Sequence, residues 1–142
     1  MMISTKGRYA LRVMVDLTEH NTDAYIPLKD IAERQEISQK YLESIMTVLS
    51  KAGFVDALHG KGGGYRLNRS PNEYTVGSVL KLTEGTLAPV ACLENEYNKC
   101  GRAASCRTLP MWTELDHLIN NYFEGITVRD LSKNISTGDY II

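Results

Sequence analysis

A mainly α-helical fold with one small β-hairpin is predicted by the sequence. Apolar residues recur at helical spacing over most of the chain. One segment near residue 60 instead alternates apolar and polar residues around a glycine cluster, which indicates two short strands. At 142 residues, the chain is long enough for one ordinary domain with an appendage.

Composition predicts a soluble globular protein that is not exported. Charged residues make up 23% and apolar residues 43% of the chain, and no run of about 18 apolar residues offers a membrane span. The first residues lack the apolar stretch and cleavage site of an export signal. Residues 1–70 carry ten Lys and Arg against eight Asp and Glu, whereas residues 71–142 carry six against nine. This difference is weak support for nucleic-acid binding by the first half.

The first predicted helix covers residues 7–19, with Ser4 and Thr5 as candidate caps. Its apolar residues at helical spacing are Ala10, Val13, Met14 and Leu17. The two residues before Pro27 are expected to be extended, because a residue that precedes proline avoids the helical region.

Two further helices joined by a short turn follow, and this is the pattern of a helix-turn-helix. The first covers residues 28–33 and the second residues 39–52, with Ser38 as its cap and Gly53 as its stop. The positions expected to face the core are Leu28, Ile31, Ala32, Tyr41, Leu42, Ile45, Met46 and Leu49.

The next segment predicts a strand over residues 54–58, a glycine loop over 59–64 and a strand over 65–68. A helix-turn-helix followed by a hairpin with a basic, glycine-rich tip is the order of elements in a winged helix. We therefore predict a winged helix-turn-helix DNA-binding domain over residues 1–85. The glycines suit a tight turn and also let backbone N–H groups approach phosphates, while Lys61 and Arg66 supply positive charge.

The C-terminal part is expected to begin with a helix over residues 76–84, capped by Thr75. A loop over residues 86–107 follows. Pro110 then lies in the first turn of a long helix that ends at Gly125. The last unit, residues 108–142, also contains a short helix over 128–133 with Thr127 as its cap, and a loosely ordered tail.

The N-terminal end of the third helix is the candidate DNA-reading surface, because recognition helices contact base edges there. Its polar residues are Gln39, Lys40, Glu43 and Ser44. Any surface helix also has polar residues in its first turn, and it is the wing that favours DNA binding. Glu43 is repelled by phosphate, so it either accepts a hydrogen bond from cytosine N4 or is a solvated residue near Lys40 and Thr47.

All three cysteines, Cys92, Cys100 and Cys106, lie within one 15-residue stretch. Thiolates on one loop suit a soft metal or an iron–sulfur cluster, and basic residues of the same loop favour the thiolate form. The C-x7-C-x5-C spacing lacks a C-x2-C pair, which argues against structural zinc. Unrelated free thiols are the alternative, and the loop offers no fourth ligand.

The long helix carries an apolar stripe that has little left to pack on, since it follows a complete small domain. The stripe consists of Trp112, Leu115, Ile119 and Tyr122. We expect residues 110–124 to pair with a second copy of the chain. A homodimer would present two recognition helices to half-sites about 34 Å apart.

Five segments together resemble one family of regulators. They read ISTKGRYALRVMVDL, IPLKDIAERQEISQKYLESIM, KAGFV, GKGGGYRL and VGSVLKLTEG. They are similar to the IscR, NsrR, RirA and CymR group of winged-helix transcriptional regulators, over about residues 2–133. The resemblance implies a cytoplasmic bacterial repressor or dual regulator that binds double-stranded operator DNA as a homodimer.

The resemblance also implies roles for particular residues. DNA contacts are implied for Ser38, Lys40, Tyr41 and Glu43, beside Gln39, and for the wing residues His59, Gly60, Lys61, Gly62, Gly63 and Gly64. An iron–sulfur cluster, [2Fe–2S] or [4Fe–4S], is implied on Cys92, Cys100 and Cys106.

Three positions depart from the family pattern. The regulators of iron–sulfur biogenesis usually have arginine where this chain has His59, and a ligating histidine where it has Leu109. The nitric-oxide-sensing branch uses an aspartate where this chain has Arg8. The cysteine spacing is closest to the iron-responsive RirA-like branch, and the CymR branch lacks the cysteine triplet.

The leading hypothesis is a homodimeric repressor whose cluster occupancy reports iron, iron–sulfur or redox status and alters operator affinity. The alternative is a thiol-based redox or cysteine-metabolism regulator without a cluster, which acts through protein interaction. An enzyme is not expected, because no paired acid and base or nucleophile stands out.

Overall fold

The chain folds around its first helix, and the expectation of a mainly α-helical protein is confirmed. A computed structural model describes residues 2–132. The helices in that range are α1 (Thr5–Glu19), α2 (Leu28–Gln35), α3 (Gln39–Lys51), α4 (Val76–Glu84), α5 (Leu109–Glu124) and α6 (Val128–Leu131). The strands are β1 (Val55–Leu58) and β2 (Gly64–Leu67). Short 3₁₀ turns lie at Pro71–Glu73 and Ala91–Leu93.

Hydroxyl groups cap the helices where the sequence predicts it. In α1, α3, α4 and α6 the hydroxyl accepts a hydrogen bond from an N–H group of the first turn. The four caps are Ser4, Ser38, Thr75 and Thr127. These N–H groups have no partner inside their helix, so the hydroxyl groups fix where each helix begins.

Helix ends differ from prediction by up to two residues. α2 continues to Gln35, because the chain turns at Glu36, whose φ of 53° is left-handed. α3 ends at Lys51, one residue before its predicted end. α6 ends at Leu131, while position 133 of its predicted range and the tail after Ser132 lie outside the described residues.

The two strands form an antiparallel hairpin, and the hairpin is hydrogen-bonded to the segment that precedes α2. The extended piece predicted before Pro27 bridges to the hairpin. The N–H of Ile26 donates to the Tyr65 carbonyl at 2.8 Å, and the N–H of Tyr65 donates back at 2.9 Å. Gly64 has a φ of 151°, and a Cβ there would collide with the Ile26 carbonyl oxygen, so this close approach requires glycine.

The main core lies between α1 and the helices around it, which are α2, α3, α4 and α6. The four apolar residues predicted to face the core from α1 are at most 1% exposed. Of the positions predicted in α2 and α3, Leu28, Ala32 and Tyr41 are half-buried, and the others are buried. Removal of this apolar surface from water is the main force that holds the helices together.

One charged residue in this core was not expected from the sequence. Asp16 is 1% exposed, and its carboxylate accepts hydrogen bonds from Arg34 Nε at 3.0 Å, Arg34 Nη2 at 2.8 Å and Gln35 Nε2 at 2.9 Å. A buried carboxylate needs such donors in place of water. The hydrogen bond to Asp16 raises the pKa of Arg34 above its ordinary value. The network ties α1 to the first helix of the helix-turn-helix.

A second apolar cluster joins α4 to the C-terminal helices. Its buried members are Val76, Leu80, Leu87 and Ile126. Ile119 and Phe123 of α5 pack against it. The prediction that Ile119 belongs to a free stripe is therefore wrong, because this face of α5 is covered by its own chain. Within residues 2–132, no helix is both long and apolar enough to cross a membrane.

Candidate nucleic-acid interface and cysteine loop

The third helix and the wing line one open groove of about 530 Å³. The α3 residues in its wall are Gln39, Glu43 and Thr47. The hairpin residues in its wall are Leu58, His59, Gly60, Gly63, Gly64 and Tyr65. Residues 27–29, at the start of α2, form a third side. The fold thus joins the predicted recognition helix to the predicted wing on one surface.

At the beginning of α3, the predicted DNA-binding residues differ in exposure. Ser38 caps the helix, and its hydroxyl accepts a hydrogen bond from the N–H of Tyr41 at 3.2 Å. Tyr41 is half-buried, and its ring meets the ring of Tyr9 edge-on with centroids 5.7 Å apart. Ser38 is itself exposed, as are Gln39, Lys40, Glu43 and Ser44.

The wing tip depends on glycines in left-handed conformations. Gly60 has a φ of 89° and Gly62 a φ of 76°. Gly63 is enclosed, since a Cβ there would collide with the Leu58 carbonyl oxygen. His59 and Lys61 are exposed beside this tip. The tip therefore offers backbone and basic side chains at a surface where larger residues would reshape the turn.

Arg66 does not lie on the groove, in contrast to the suggestion that it adds charge to the DNA-facing side of the wing. Its guanidinium lies over the ring of Tyr25, 4.3 Å from the centroid, and donates to the Asp23 carbonyl at 3.0 Å. The Asp56 carboxylate is 3.8 Å away. Pleating sends alternate side chains of a strand to opposite faces, and these partners hold Arg66 at the base of the wing.

Six residues of the groove wall were not among the predicted contacts, and they are Pro27, Leu28, Lys29, Thr47, Leu58 and Tyr65. The Thr47 hydroxyl donates to the Glu43 carbonyl at 2.8 Å. Leu58 is 46% exposed, and among residues 4–85 it is the single large apolar side chain exposed to this degree. Its place at the end of the alternating strand could have drawn attention, whereas Lys29 reaches the groove only through tertiary packing.

The structure does not gather the three cysteines. Within residues 2–132, no group of three or more His, Cys, Asp or Glu side chains is placed to hold a metal ion. Cys92 is half-buried in a 3₁₀ turn, Cys100 is exposed and Cys106 is half-buried, and all three are free thiols. Because thiols are weak hydrogen-bonding groups, they have little attraction for one another. The donor set suits a soft metal chemically, but its geometry is not preformed.

Cys106 differs from an ordinary thiol in its hydrogen bonds. The Thr108 hydroxyl, 3.4 Å from the sulfur, lowers the pKa of Cys106. The backbone N–H of Thr108 lowers this pKa further, and the backbone N–H of Leu109 and the charge of Arg102 add weaker effects in the same direction. Burial raises the pKa, by less than either contact with Thr108 lowers it. The thiolate form, which is the metal-binding and nucleophilic form, is therefore favoured at Cys106.

The two positions at which the resemblance implies a further cluster ligand make other contacts here. Leu109 is half-buried as the first residue of α5. Arg8 donates a hydrogen bond to the Thr5 hydroxyl at 2.9 Å. Neither a leucine nor an arginine side chain coordinates iron, so these two positions supply no fourth protein ligand.

One face of α5 is apolar and exposed to solvent. Its residues are Met111 (55% exposed), Leu115 (37%), Leu118 (60%) and Tyr122 (58%). Their spacing places them on a single face of the helix. The predicted stripe shares Leu115 and Tyr122 with this face, whereas Trp112 and Ile119 are half-buried.

Comparison with known proteins identifies the family. The Rrf2 family, described as an iron-dependent transcriptional regulator, matches residues 3–134. The chain belongs to the Rrf2 family. This Rrf2 chain is 37% identical over 131 residues to the HTH-type transcriptional regulator IscR of Aliivibrio salmonicida, covering 92% of the chain and 77% of that protein. It is 36% identical over 136 residues to Protein rrf2 of Nitratidesulfovibrio vulgaris, covering 96% and 90%.

Solved structures of two regulators have the same fold as this Rrf2 chain. CymR (YrzC), described as the global cysteine regulator of B. subtilis, matches with a TM-score of 0.76 and 29% identity, covering 96% of this chain and 99% of that one. IscR of T. potens matches with a TM-score of 0.72 and 30% identity, covering 100% and 93%. The winged-helix fold and the resemblance to the IscR and CymR group are confirmed. The family is described as a transcriptional regulator and the IscR relative is named as one, so this Rrf2 protein is a DNA-binding transcriptional regulator and not an enzyme.

Proposed function

We propose that this Rrf2 protein binds operator DNA as a homodimer and represses transcription in response to the state of its cysteine loop. The observation that carries the proposal is the shared groove, in which exposed polar residues of α3 face the glycine-rich wing. A recognition helix in the major groove and a wing on the adjacent backbone would use this surface together.

The proposed DNA contacts follow from exposure and chemistry. Gln39, Lys40 and Glu43 are exposed where a recognition helix meets base edges. Ser38 and Tyr41 lie at the same helix start and are proposed to contact the backbone. The wing residues proposed to contact phosphate or the minor groove are His59, Gly60, Lys61, Gly62, Gly63 and Gly64.

Replacing Lys40 and Lys61 together with alanine is expected to weaken DNA binding about tenfold or more. Each lysine that neutralises a phosphate releases about one counterion, so the slope of log affinity against log salt should become about two units less negative. Fluorescence anisotropy with a labelled operator at several salt concentrations measures both quantities.

The matched control for this experiment is Lys81→Ala. Lys81 is a lysine of α4 whose ammonium lies 3.5 Å from the Glu124 carboxylate, and its removal should leave the salt dependence unchanged. If the double variant binds DNA as the unaltered protein does, the start of α3 and the wing tip are not the DNA-binding surface, and a protein-docking role for the winged helix is favoured.

The sensing element is proposed to be the loop of residues 86–107, with Cys92, Cys100 and Cys106 as ligands of an iron–sulfur cluster. Three thiols in one loop and the lowered pKa of Cys106 support this assignment. The family description as iron-dependent supports it as well. A bound cluster would supply a group that responds to iron and oxidants. Because the thiols are not gathered in the described conformation, this role requires the loop to rearrange.

Anaerobic reconstitution with iron and sulfide is expected to give a coloured protein with thiolate-to-iron absorption in the visible range. Changing any one of the three cysteines to serine should reduce the bound iron and sulfide, because each removes one ligand. Ser105→Ala, in the same loop, is the control and should retain them. A colourless and iron-free product would rule out the cluster and leave the DNA-binding proposal intact.

A second candidate is a regulator whose free thiols are the sensor. The ungathered cysteines, the thiolate-favouring surroundings of Cys106 and the likeness to CymR favour it. This candidate predicts that iron-free protein changes its operator affinity when its thiols are oxidised, and that thiol reduction reverses the change. The cluster proposal predicts instead that affinity follows iron content.

A further inference from the structure

We infer that the groove between α3 and the wing seats one sugar–phosphate strand of the duplex, with Leu58 packed against deoxyribose and Lys29 paired with a phosphate. The inference rests on the proposed DNA binding and extends it. It assigns a contact that does not depend on salt, and it gives roles to two residues outside the predicted recognition helix and glycine loop.

Leu58 is the observation from which the inference starts. Its side chain is 46% exposed, although the other large apolar side chains of residues 4–85 are buried or half-buried. Its partner across the hairpin is Gly64, which has no side chain to cover it. A single exposed leucine on a protein surface is common and by itself indicates nothing. Leu58 is informative because it lies in the wall of the groove between α3 and the wing.

Apolar residues and a basic residue lie together in the groove wall. Pro27 and Leu28 lie in the groove wall with Leu58 and form its apolar part. Lys29 follows them in the chain, is exposed and lies in the same wall. A DNA strand likewise presents apolar sugar faces between charged phosphates. The complementary surface is therefore a strand backbone rather than a free anion or an apolar peptide.

Substitutions of Leu58 and Lys29 are expected to differ in how they change the salt dependence of DNA binding. Leu58→Ala is expected to weaken binding about tenfold, because apolar contact area is lost. Its salt slope should stay unchanged, since no counterion is involved. Lys29→Ala should make the slope about one unit less negative. Sugars occur at every position of a duplex, so the Leu58→Ala loss should be equal on an operator and on an unrelated duplex.

Anisotropy titrations of both variants on both duplexes, at several salt concentrations, test the inference. Leu58→Met should restore most of the affinity, and thermal unfolding should show that Leu58→Ala remains folded. An equal loss on both duplexes with an unchanged slope supports the sugar contact. The inference would be overturned if Leu58→Ala lost affinity for the operator alone and the unaltered protein lost the same affinity when uracil replaced thymine in that operator. Leu58 would then contact a thymine methyl group.

Two other results would also overturn it. One is unchanged affinity of Leu58→Ala on both duplexes, and the other is unchanged salt slope of Lys29→Ala. These outcomes differ from failure of the proposed function, in which the unaltered protein itself would show no salt-dependent binding to any duplex.

Discussion

The variant Leu118→Asp is expected to be monomeric and to bind a two-half-site operator at least about a hundredfold more weakly. Leu118 is 60% exposed in the middle of the apolar face of α5, and a carboxylate buried between two such faces would lack a partner. A linked second half-site raises the overall affinity by about two to four orders of magnitude, and a monomer loses this gain. Sedimentation velocity and anisotropy measure the two effects.

His117→Asp is the matched control for this prediction. It places the same carboxylate one residue earlier on α5, at an exposed position outside the apolar face, and should leave the dimer intact. On DNA that carries a single half-site, Leu118→Asp and the unaltered protein should bind about equally. A Leu118→Asp protein that remains dimeric would contradict the proposal that this exposed face of α5 pairs with a second copy of the chain.

The variant Arg34→Ala is expected to lower the free energy of unfolding by about 3 kcal/mol. It removes two hydrogen bonds from the buried Asp16 carboxylate, and breaking a buried pair in this way leaves an uncompensated charge. This loss is at the low end of the range of about 3–5 kcal/mol for breaking a buried ion pair. The reason is that the Arg34 side chain is 33% exposed and Gln35 still donates to the carboxylate. Urea denaturation monitored by circular dichroism measures the loss.

Two further variants show whether the pair is responsible. Arg8→Ala removes an exposed arginine from α1 that bonds to the Thr5 hydroxyl, and it should change stability by less than about 0.5 kcal/mol. Replacing Asp16 with leucine and Arg34 with methionine together should recover most of the stability, since no charge is then left unpaired. If Arg34→Ala costs no more than Arg8→Ala, the network does not stabilise the fold.

Local signals in the sequence predicted the elements of this fold closely. The hydroxyl caps at Ser4, Ser38, Thr75 and Thr127 act within the first turn of a helix, so neighbouring residues suffice to identify them. The two helix-turn-helix helices and the hairpin likewise follow from periodicity and from glycines that a tight turn requires. The two-residue error at the end of α2 arose because a non-glycine residue, Glu36, adopts the left-handed conformation that ends the helix.

The candidate site was predicted less completely. The exposed polar residues at the start of α3 and the wing tip could be named in advance, because both are contiguous in the chain. Lys29 and Leu58 could not, since they reach the groove from separate elements. The covered and the exposed face of α5 could not be distinguished either. Ile119 and Leu118 are both apolar, and helical spacing does not show which of them packs against the rest of the chain.

The sequence by itself determined the order of the elements, the family and the residues that carry chemistry, because these depend on residue type and on short spacings. The tertiary structure decided which of those residues meet. It paired Asp16 with Arg34 across 18 positions, joined α3 to the wing in one groove and left the three cysteines apart. Such outcomes depend on the relative placement of distant segments, which is set by packing of the whole core and not by any local pattern.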